Sequence, residues 1–325
     1  MKVLVIRLSS LGDVILSSAV LTPLHKKGFD IDFLTFKPFD QLFKEDYRIK
    51  KVISVNKKEI TGVKKILQFT KKMENYDYII DLHSNFRSTL ISKFTRGKVF
   101  RYRKKSIQRR LYTKPFFRKF LGKPFNVVES YVETLKPLGV EKHNPKPELI
   151  LLEKEKEKVK TFLPEKFIAI GAGARYKNKS YPFFDRVSYI LDKKGFKVVL
   201  VGDKSDKDVD KTIYPKTVSD LRGKLSLRES LAVLSQAQLT ISNDSAVAHM
   251  SRAVKTPVLM IYGATHPFFG FYPFPEEGEY ILKGLKCQPC HIHGKKECKL
   301  KTVECLNINP ELVVDKALNL LKKSL

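Results

Sequence analysis

Residues 2–18 read KVLVIRLSSLGDVILSS. The apolar run Val3–Leu8 predicts a strand buried on both faces, and the apolar spacing after Asp13 predicts a helix. A nucleotide-binding α/β unit opens with this strand–turn–helix pattern. The turn Ser9-Ser10-Leu11-Gly12-Asp13, however, holds one glycine and a carboxylate. A turn that cradles phosphate needs several glycines and no negative charge. The turn thus departs from the features of a phosphate cradle, and a carboxylate, Asp13, sits where a phosphate would be expected.

The pattern recurs along the chain. Apolar, β-branched runs follow at Ile31–Phe36, Lys51–Val55 and Tyr78–Leu82, with another near Val99–Tyr102, and then at Phe167–Gly171, Lys197–Gly202, Leu239–Ser242 and Val258–Tyr262. Helix-sized gaps between buried strands imply βαβ crossovers and parallel sheets. A chain of 325 residues exceeds what one core comfortably serves. The expected fold class is α/β, with two Rossmann-like parallel-sheet domains facing a central cleft. The proline-bearing, charged stretch EKHNPKPELILLEKEKEKVKTFLPEKF divides them near residue 155, giving domains 1–155 and 156–325. A last helix, Pro310 to Lys323, has an apolar stripe at Leu312, Val313, Ala317, Leu320 and Leu321, available to pack back on the first domain.

Lys and Arg outnumber Asp and Glu by 62 to 34. Residues 1–150 hold 32 basic and 14 acidic side chains and the remainder 30 and 20, so the excess is concentrated in the first half. Such a field suits nucleic acid, an anionic lipid surface or a phosphorylated substrate, although a lysine-rich solvated surface has the same composition. The longest apolar runs are strand-sized, short of the roughly 20 residues of a spanning helix. Arg7 and Asp13 interrupt what would be the apolar region of a signal peptide. The expected location is the cytoplasm.

Cys287, Cys290, Cys298 and Cys305 lie close together, the first two as a C-x2-C pair beside His291 and His293. A structural zinc site uses such ligands, and two local disulfides or four plain thiols fit the spacing as well. In each reading the cluster is a structural clip and not the chemistry.

The strongest local signal is LTISNDSAVAHMSRAVKTPVLMIYGATHP, residues 239–267. A strand ends at Ser242, Asn243-Asp244-Ser245 offers N-cap chemistry to a helix Ala246–Ala253, and a second strand ends in Gly263-Ala264-Thr265. The free N–H groups of a helix start suit a diphosphate.

NDSAVAHMSRAVKTPVLMIYGATHP resembles the signature of glycosyltransferase family 9, the ADP-heptose:lipopolysaccharide heptosyltransferases. The resemblance extends to RLSSLGDVILSSAVLTPL, YIIDLHSNFRSTLIS, GAGARYKNKSYP and LRGKLSLRESLAVLSQAQL, in the family's order, and the cysteine cluster has similar spacing in many members. It implies the GT-B fold and inverting, metal-independent transfer of a heptose from a nucleotide-heptose to the inner core of lipopolysaccharide, with no cofactor. By this resemblance Asp13 is the general base and Lys179 the diphosphate-binding lysine, flanked by Arg175. It also implies that Asp244 bonds heptose hydroxyls, that Ser245, Ala246 and Val247 offer backbone N–H groups to the phosphates near His249, that Leu225 packs on adenine and that Asp206 binds ribose. The family's Gly is Ala246 here, its Trp is Tyr181 and its frequent Pro is Ala264, changes that bear on the sugar more than on the reaction class.

Residues 96–123, RGKVFRYRKKSIQRRLYTKPFFRKFLGK, hold twelve basic and no acidic residues, with aromatic rings interleaved. A nucleic-acid stripe, a lipid-docking surface and a solvated helix face share this composition. On the resemblance, the segment belongs to the first domain. Arg101, Arg103, Lys104 and Lys105 then face a lipid A-core acceptor at the inner face of the cytoplasmic membrane, where the protein is peripheral. The rival readings are a nucleotide-sugar epimerase or another GT-B sugar transferase, and a nucleic-acid-binding protein. No nucleic-acid module is recognisable, which disfavours the last.

Overall fold

The computed structural model describes all residues except Lys142, His143, Lys211 and Leu325. The chain divides into two compact units. One comprises Met1–Lys104 with Val127–Ile150, the other Lys105–Asn126 with Leu151–Leu325.

The first unit holds β1 (Lys2–Ile6), β2 (Asp30–Phe36), β3 (Lys51–Val55), β4 (Tyr78–Asp81) and β5 (Lys98–Arg101). They form one sheet in the order β3-β2-β1-β4-β5, with every neighbour parallel. Val3 to Ile6 are fully buried because helices cover both faces of the central strand.

The second unit holds β6 (Phe167–Gly171), β7 (Lys197–Leu200), β8 (Ser219–Asp220), β9 (Leu239–Asn243), β10 (Val258–Tyr262) and β11 (Gly278–Leu282). Their order is β11-β10-β9-β6-β7-β8, again all parallel. The two-domain parallel α/β expectation is met, and each strand read from the sequence is present. Two edge strands were not anticipated: β8 is two residues long, and β11 is only partly buried, so neither has a continuous apolar run.

The units differ from the expected division in two respects. Lys105–Asn126 lies in the first half of the sequence but packs in the second unit. The Tyr112 ring stacks on Phe268 at 3.7 Å between centroids and 3° between planes. Arg118 donates to the carbonyls of Lys286 and Pro289 at 2.9 and 3.3 Å, and Asn126 to that of Tyr272 at 3.1 Å. The last helix, Pro310–Ser324, packs in the second unit. Val313, Val314, Ala317, Leu320 and Leu321 join the core of the second sheet beside Ile168, Ile241 and Leu259. Leu312, placed in the stripe by sequence, is 46% exposed, because the buried face runs through Val314 instead.

Each sheet reverses its winding at one place, between β1 and β4 in the first and between β6 and β9 in the second. Loops leaving the carboxyl ends of strands diverge at such a point and leave a crevice there. Asp13 follows β1, while Lys179 follows β6 and Asp244 follows β9.

Candidate functional site

In the second unit, β9 delivers Asn243 and Asp244 in successive positions with different duties. The Asn243 amide donates to the carbonyls of Ala172 and Gly173 at 2.7 and 3.3 Å and accepts from the Tyr181 N–H at 2.9 Å. It thereby pins both ends of the loop after β6, the loop that carries Lys179. Asp244 is buried; its Oδ2 lies 2.9 Å from Lys179 Nζ and accepts from the Thr265 hydroxyl at 2.8 Å. Burial pushes the Asp244 carboxyl up, but Lys179, His249 and Thr265 outweigh it and hold the carboxyl below its usual range.

The expected side-chain capping by Asn243-Asp244-Ser245 is not what forms. Ser245 is the N-cap of the helix Ala246–Ala253, yet no side chain caps it. Its hydroxyl lies 3.2 Å from that of Ser242, and the other two side chains are committed to the loops. A helix start without a side-chain acceptor, next to a lysine, favours an anion.

Asp206 follows β7, and its Oδ2 accepts from the Asp203 N–H at 3.1 Å. It lies directly over Gly173, where an added Cβ would sit 2.0 Å from the Asp206 Cγ and the carboxylate would have to move. Burial raises the Asp206 carboxyl above its usual range. Thus Lys179, Asp206, Asp244, Ser245, Ala246, Val247 and His249 share one sheet end. Arg175 stands apart: it is exposed, with its guanidinium 5.6 Å from the Tyr176 ring centroid. Leu225 is half-buried in the bend before the helix Leu227–Gln236.

The four cysteines are free thiols. Among the described residues, no group of three or more His, Cys, Asp or Glu side chains is gathered closely enough to hold a metal ion. All four thiols line a cavity of about 710 Å³ with Arg110, Lys114, His291 and His293. The loop they occupy supports the site from behind. Gln288 donates to the carbonyls of Tyr262 and Gly263 at 3.1 and 2.6 Å, Cys290 N–H to that of Ala264 at 3.2 Å, and Gly294 lies against the Lys179 stem with no room for a Cβ.

In the first unit, Asp13 sits one turn into the helix Leu11–Ser17. Its Oδ2 accepts from the Ser10 hydroxyl at 2.8 Å, and its Oδ1 lies 2.8 Å from the Arg7 guanidinium. The Tyr131 hydroxyl reaches Oδ1 at 3.4 Å. Arg7 is buried, donates to the Leu82 carbonyl at 2.6 Å and stands 5.6 Å from the Tyr131 ring centroid. The carboxylate is therefore fixed in direction, with part of its surface still open.

His83 was not singled out from the sequence. It follows β4 and is buried. Burial, with help from Arg7 and Lys104, pushes its imidazole down to about 3, so the ring is neutral. Asn85 Oδ1 accepts from the Ser88 N–H at 2.9 Å, which turns the Asn85 NH2 group toward His83 Nε2 at 2.7 Å. Nε2 accepts, and the ring proton is assigned to Nδ1, a buried atom with no hydrogen-bond partner among the described residues. A histidine in a family-type stretch carries no signal of burial by itself, so only the fold could identify it.

The four basic residues assigned to an acceptor divide between the two units. Arg101 donates to Asp81 Oδ2 at 2.8 Å and to the Ser92 hydroxyl at 2.7 Å, inside the first unit. Arg103 and Lys104 are exposed at the end of that unit's first segment. Lys105 belongs to the second unit, with its ammonium 4.5 Å from the Phe125 ring centroid.

A model of glycosyltransferase family 9 (heptosyltransferase) matches residues 66–303. Lipopolysaccharide heptosyltransferase 3 of Escherichia coli is 26% identical over 285 residues, covering 79% of this chain and 82% of that protein. Among solved structures, a family 9 glycosyl transferase from Veillonella parvula DSM 2008 superposes with a TM-score of 0.75 at 21% identity, covering 99% of this chain and 98% of that one. The E. coli ADP-heptose lps heptosyltransferase II gives 0.73 at 19%, covering 99% of both chains. At these identities the structural likeness speaks for the fold alone.

Proposed function

Because this chain belongs to glycosyltransferase family 9, we propose that it transfers a heptose from a nucleotide-heptose, ADP-heptose by preference, to the inner core of lipopolysaccharide. The observation that carries the donor side is the Lys179–Asp244 pair beside the uncapped start of the helix Ala246–Ala253. A diphosphate bound there meets an ammonium and free N–H groups, which take up the charge that develops as it leaves. Asp244, ionised and held by Thr265, has lone pairs suited to sugar hydroxyls. Asp206 offers the same to a ribose.

Asp13 is the base of this reading. The acceptor oxygen bonds to the sugar anomeric carbon from the face opposite the leaving group, the carbon–phosphate oxygen bond breaks, and the acceptor proton passes to a carboxylate oxygen of Asp13. The configuration inverts. The proton moves late, after the leaving bond has lengthened and the acceptor oxygen has begun to bond to the anomeric carbon. Charge is managed by Lys179 and the helix start, and the proposed reaction requires no catalytic metal. The acceptor is a lipid A-core molecule, and the protein works peripherally at the inner face of the cytoplasmic membrane.

The test is a screen of nucleotide sugars against core-truncated lipopolysaccharide, read by mass spectrometry. One added heptose with the inverted linkage is expected. Interconversion of the nucleotide sugar without an acceptor would overturn the assignment in favour of an epimerase.

A further inference from the structure

We infer that the hairpin of helices Ser106–Tyr112 and Pro115–Arg118 is a membrane-docking element, whose Phe116 and Phe120 enter the interface of an anionic bilayer while the basic residues around them meet its lipid headgroups. The inference builds on the reading of a lipid-borne acceptor and names the surface that would reach it.

Neither helix of the hairpin buries a residue. Phe116 and Phe120 are each 66% exposed and Ile107 is 76% exposed, a concentration of large apolar side chains in one short segment. Arg110, Lys114, Lys119 and Lys123 are exposed around them, and no acidic residue lies between residues 96 and 123. Exposed rings ringed by cations match a bilayer interface, which offers an apolar layer beneath anionic headgroups.

The seat of the hairpin is firm where its tip is bare. Tyr112 stacks on Phe268, Arg118 is spent on the carbonyls of Lys286 and Pro289, and Arg109 lies 5.0 Å from the ring centroids of both Phe125 and Phe271. These residues hold the element on the second unit. The unanchored side chains are the ones left to a partner.

The arrangement of the rings favours lipid over nucleic acid. A single-strand platform presents ring faces one after another for bases to stack on. Here Phe116 meets Phe117 edge-to-face at 5.3 Å and 86°, and Phe120 is tilted against it at 5.7 Å. The Lys119 ammonium stands 5.4 and 4.9 Å from the Phe116 and Phe120 ring centroids. The result is a compact apolar knot whose rings are set at steep angles to one another, not a series of parallel faces.

The chain has no tryptophan, so Phe116→Trp in the full-length protein reports on this knot alone. With vesicles of three parts phosphatidylcholine to one part phosphatidylglycerol, its emission should shift to the blue and be quenched by acyl-chain-brominated lipid. With phosphatidylcholine alone it should not change. Phe116→Ser with Phe120→Ser should lower partitioning onto the anionic vesicles about tenfold or more. Lys119→Gln with Lys123→Gln should weaken it by roughly fivefold per residue and reduce its dependence on phosphatidylglycerol. Melting curves of all variants should match the wild type, since the mutated side chains are exposed. Unchanged emission with anionic vesicles, undiminished partitioning of the serine variant, or a response to single-stranded oligonucleotide in place of vesicles would overturn the inference. Transfer to a water-soluble core fragment reports separately on the proposed reaction: the serine variant should retain it. In the wild-type protein, absence of vesicle binding with transfer intact would sink the docking inference, and absence of transfer with vesicle binding intact would sink the proposed reaction.

Discussion

The Arg7 guanidinium lies 2.8 Å from Asp13 Oδ1, joining the end of the first strand to the first turn of the helix that follows. The arginine side chain is almost fully buried and the carboxylate is partly open, so the pair has one structural and one accessible partner. Asp13→Asn therefore tests two roles together. Loss of the base should slow turnover by ~10²–10⁴. It should also lower stability by roughly 1–3 kcal/mol, because a buried guanidinium donor loses its charged acceptor. Arg7→Gln combined with Asp13→Asn should recover much of the stability and none of the turnover. Turnover that returned together with stability would remove Asp13 from the mechanism.

Lys179→Met keeps an aliphatic stem against Gly294 and removes the ammonium. Turnover should fall by about two orders of magnitude, since a charge-assisted bond to a leaving diphosphate is worth on the order of 2–4 kcal/mol in a dry site. The loss should fall more on kcat than on KM. Wild-type turnover in this variant would be incompatible with a donor site at the second sheet.

Gly173→Ala places a Cβ where the Asp206 carboxylate now lies. Affinity for a nucleoside diphosphate sugar, measured by calorimetry, should drop as the carboxylate is displaced. In an Asp206→Ala background the same glycine change should cost little further affinity, because the obstructing atoms are gone. Equal losses in both backgrounds would separate Gly173 from Asp206.

His83 supplies a pH dependence. Its imidazole is held neutral down to about 3 in the folded state, below the ordinary histidine value. The unfolded chain binds the proton first, so this contribution to stability is present above about pH 6.5 and is lost as pH falls toward the folded value. The slope is at most about 1.4 kcal/mol per pH unit. Denaturant melts of wild type and His83→Gln between those limits should diverge from parallel, the variant being less acid-sensitive. Parallel curves would mean that the ring is not buried neutral.

The thiols should react in an order set by exposure. Cys287 is exposed, whereas Cys305 is buried and its thiol is pushed up to about 12 by that burial. Limited alkylation followed by peptide mass spectrometry should label Cys287 first and Cys305 only on unfolding. Early labelling of Cys305 would contradict the packing of its loop.

Strands such as Phe167–Gly171 were legible because a centre-of-sheet strand has no polar face, and β11 was not because an edge strand has one. The residues at the strand ends were legible as a family pattern, but their partners were not. Nothing in the spacing of Asn243 shows that its amide holds the loop of Lys179, and nothing in Arg7 shows that it buries beneath Asp13. These are contacts between segments that only the sheet order brings together. The basic stretch misled for a similar reason. Its charge is visible in sequence, whereas Tyr112 finds its seat on Phe268, far along the chain, and that pairing decides which unit the stretch joins.

The passage of Lys105–Asn126 into the second unit also bears on biosynthesis. A nascent chain that has emerged as far as Ile150 carries all of the first unit, yet its aromatic and basic hairpin has no seat until Phe268 and Pro289 have been made. During translation the hairpin is thus an adhesive segment without its seat, the kind of surface that chaperones shield and that drives association between nascent chains. Ribosome-bound chains arrested after Ile150 should recruit holdase chaperones through this segment, and chains arrested after the last helix should not.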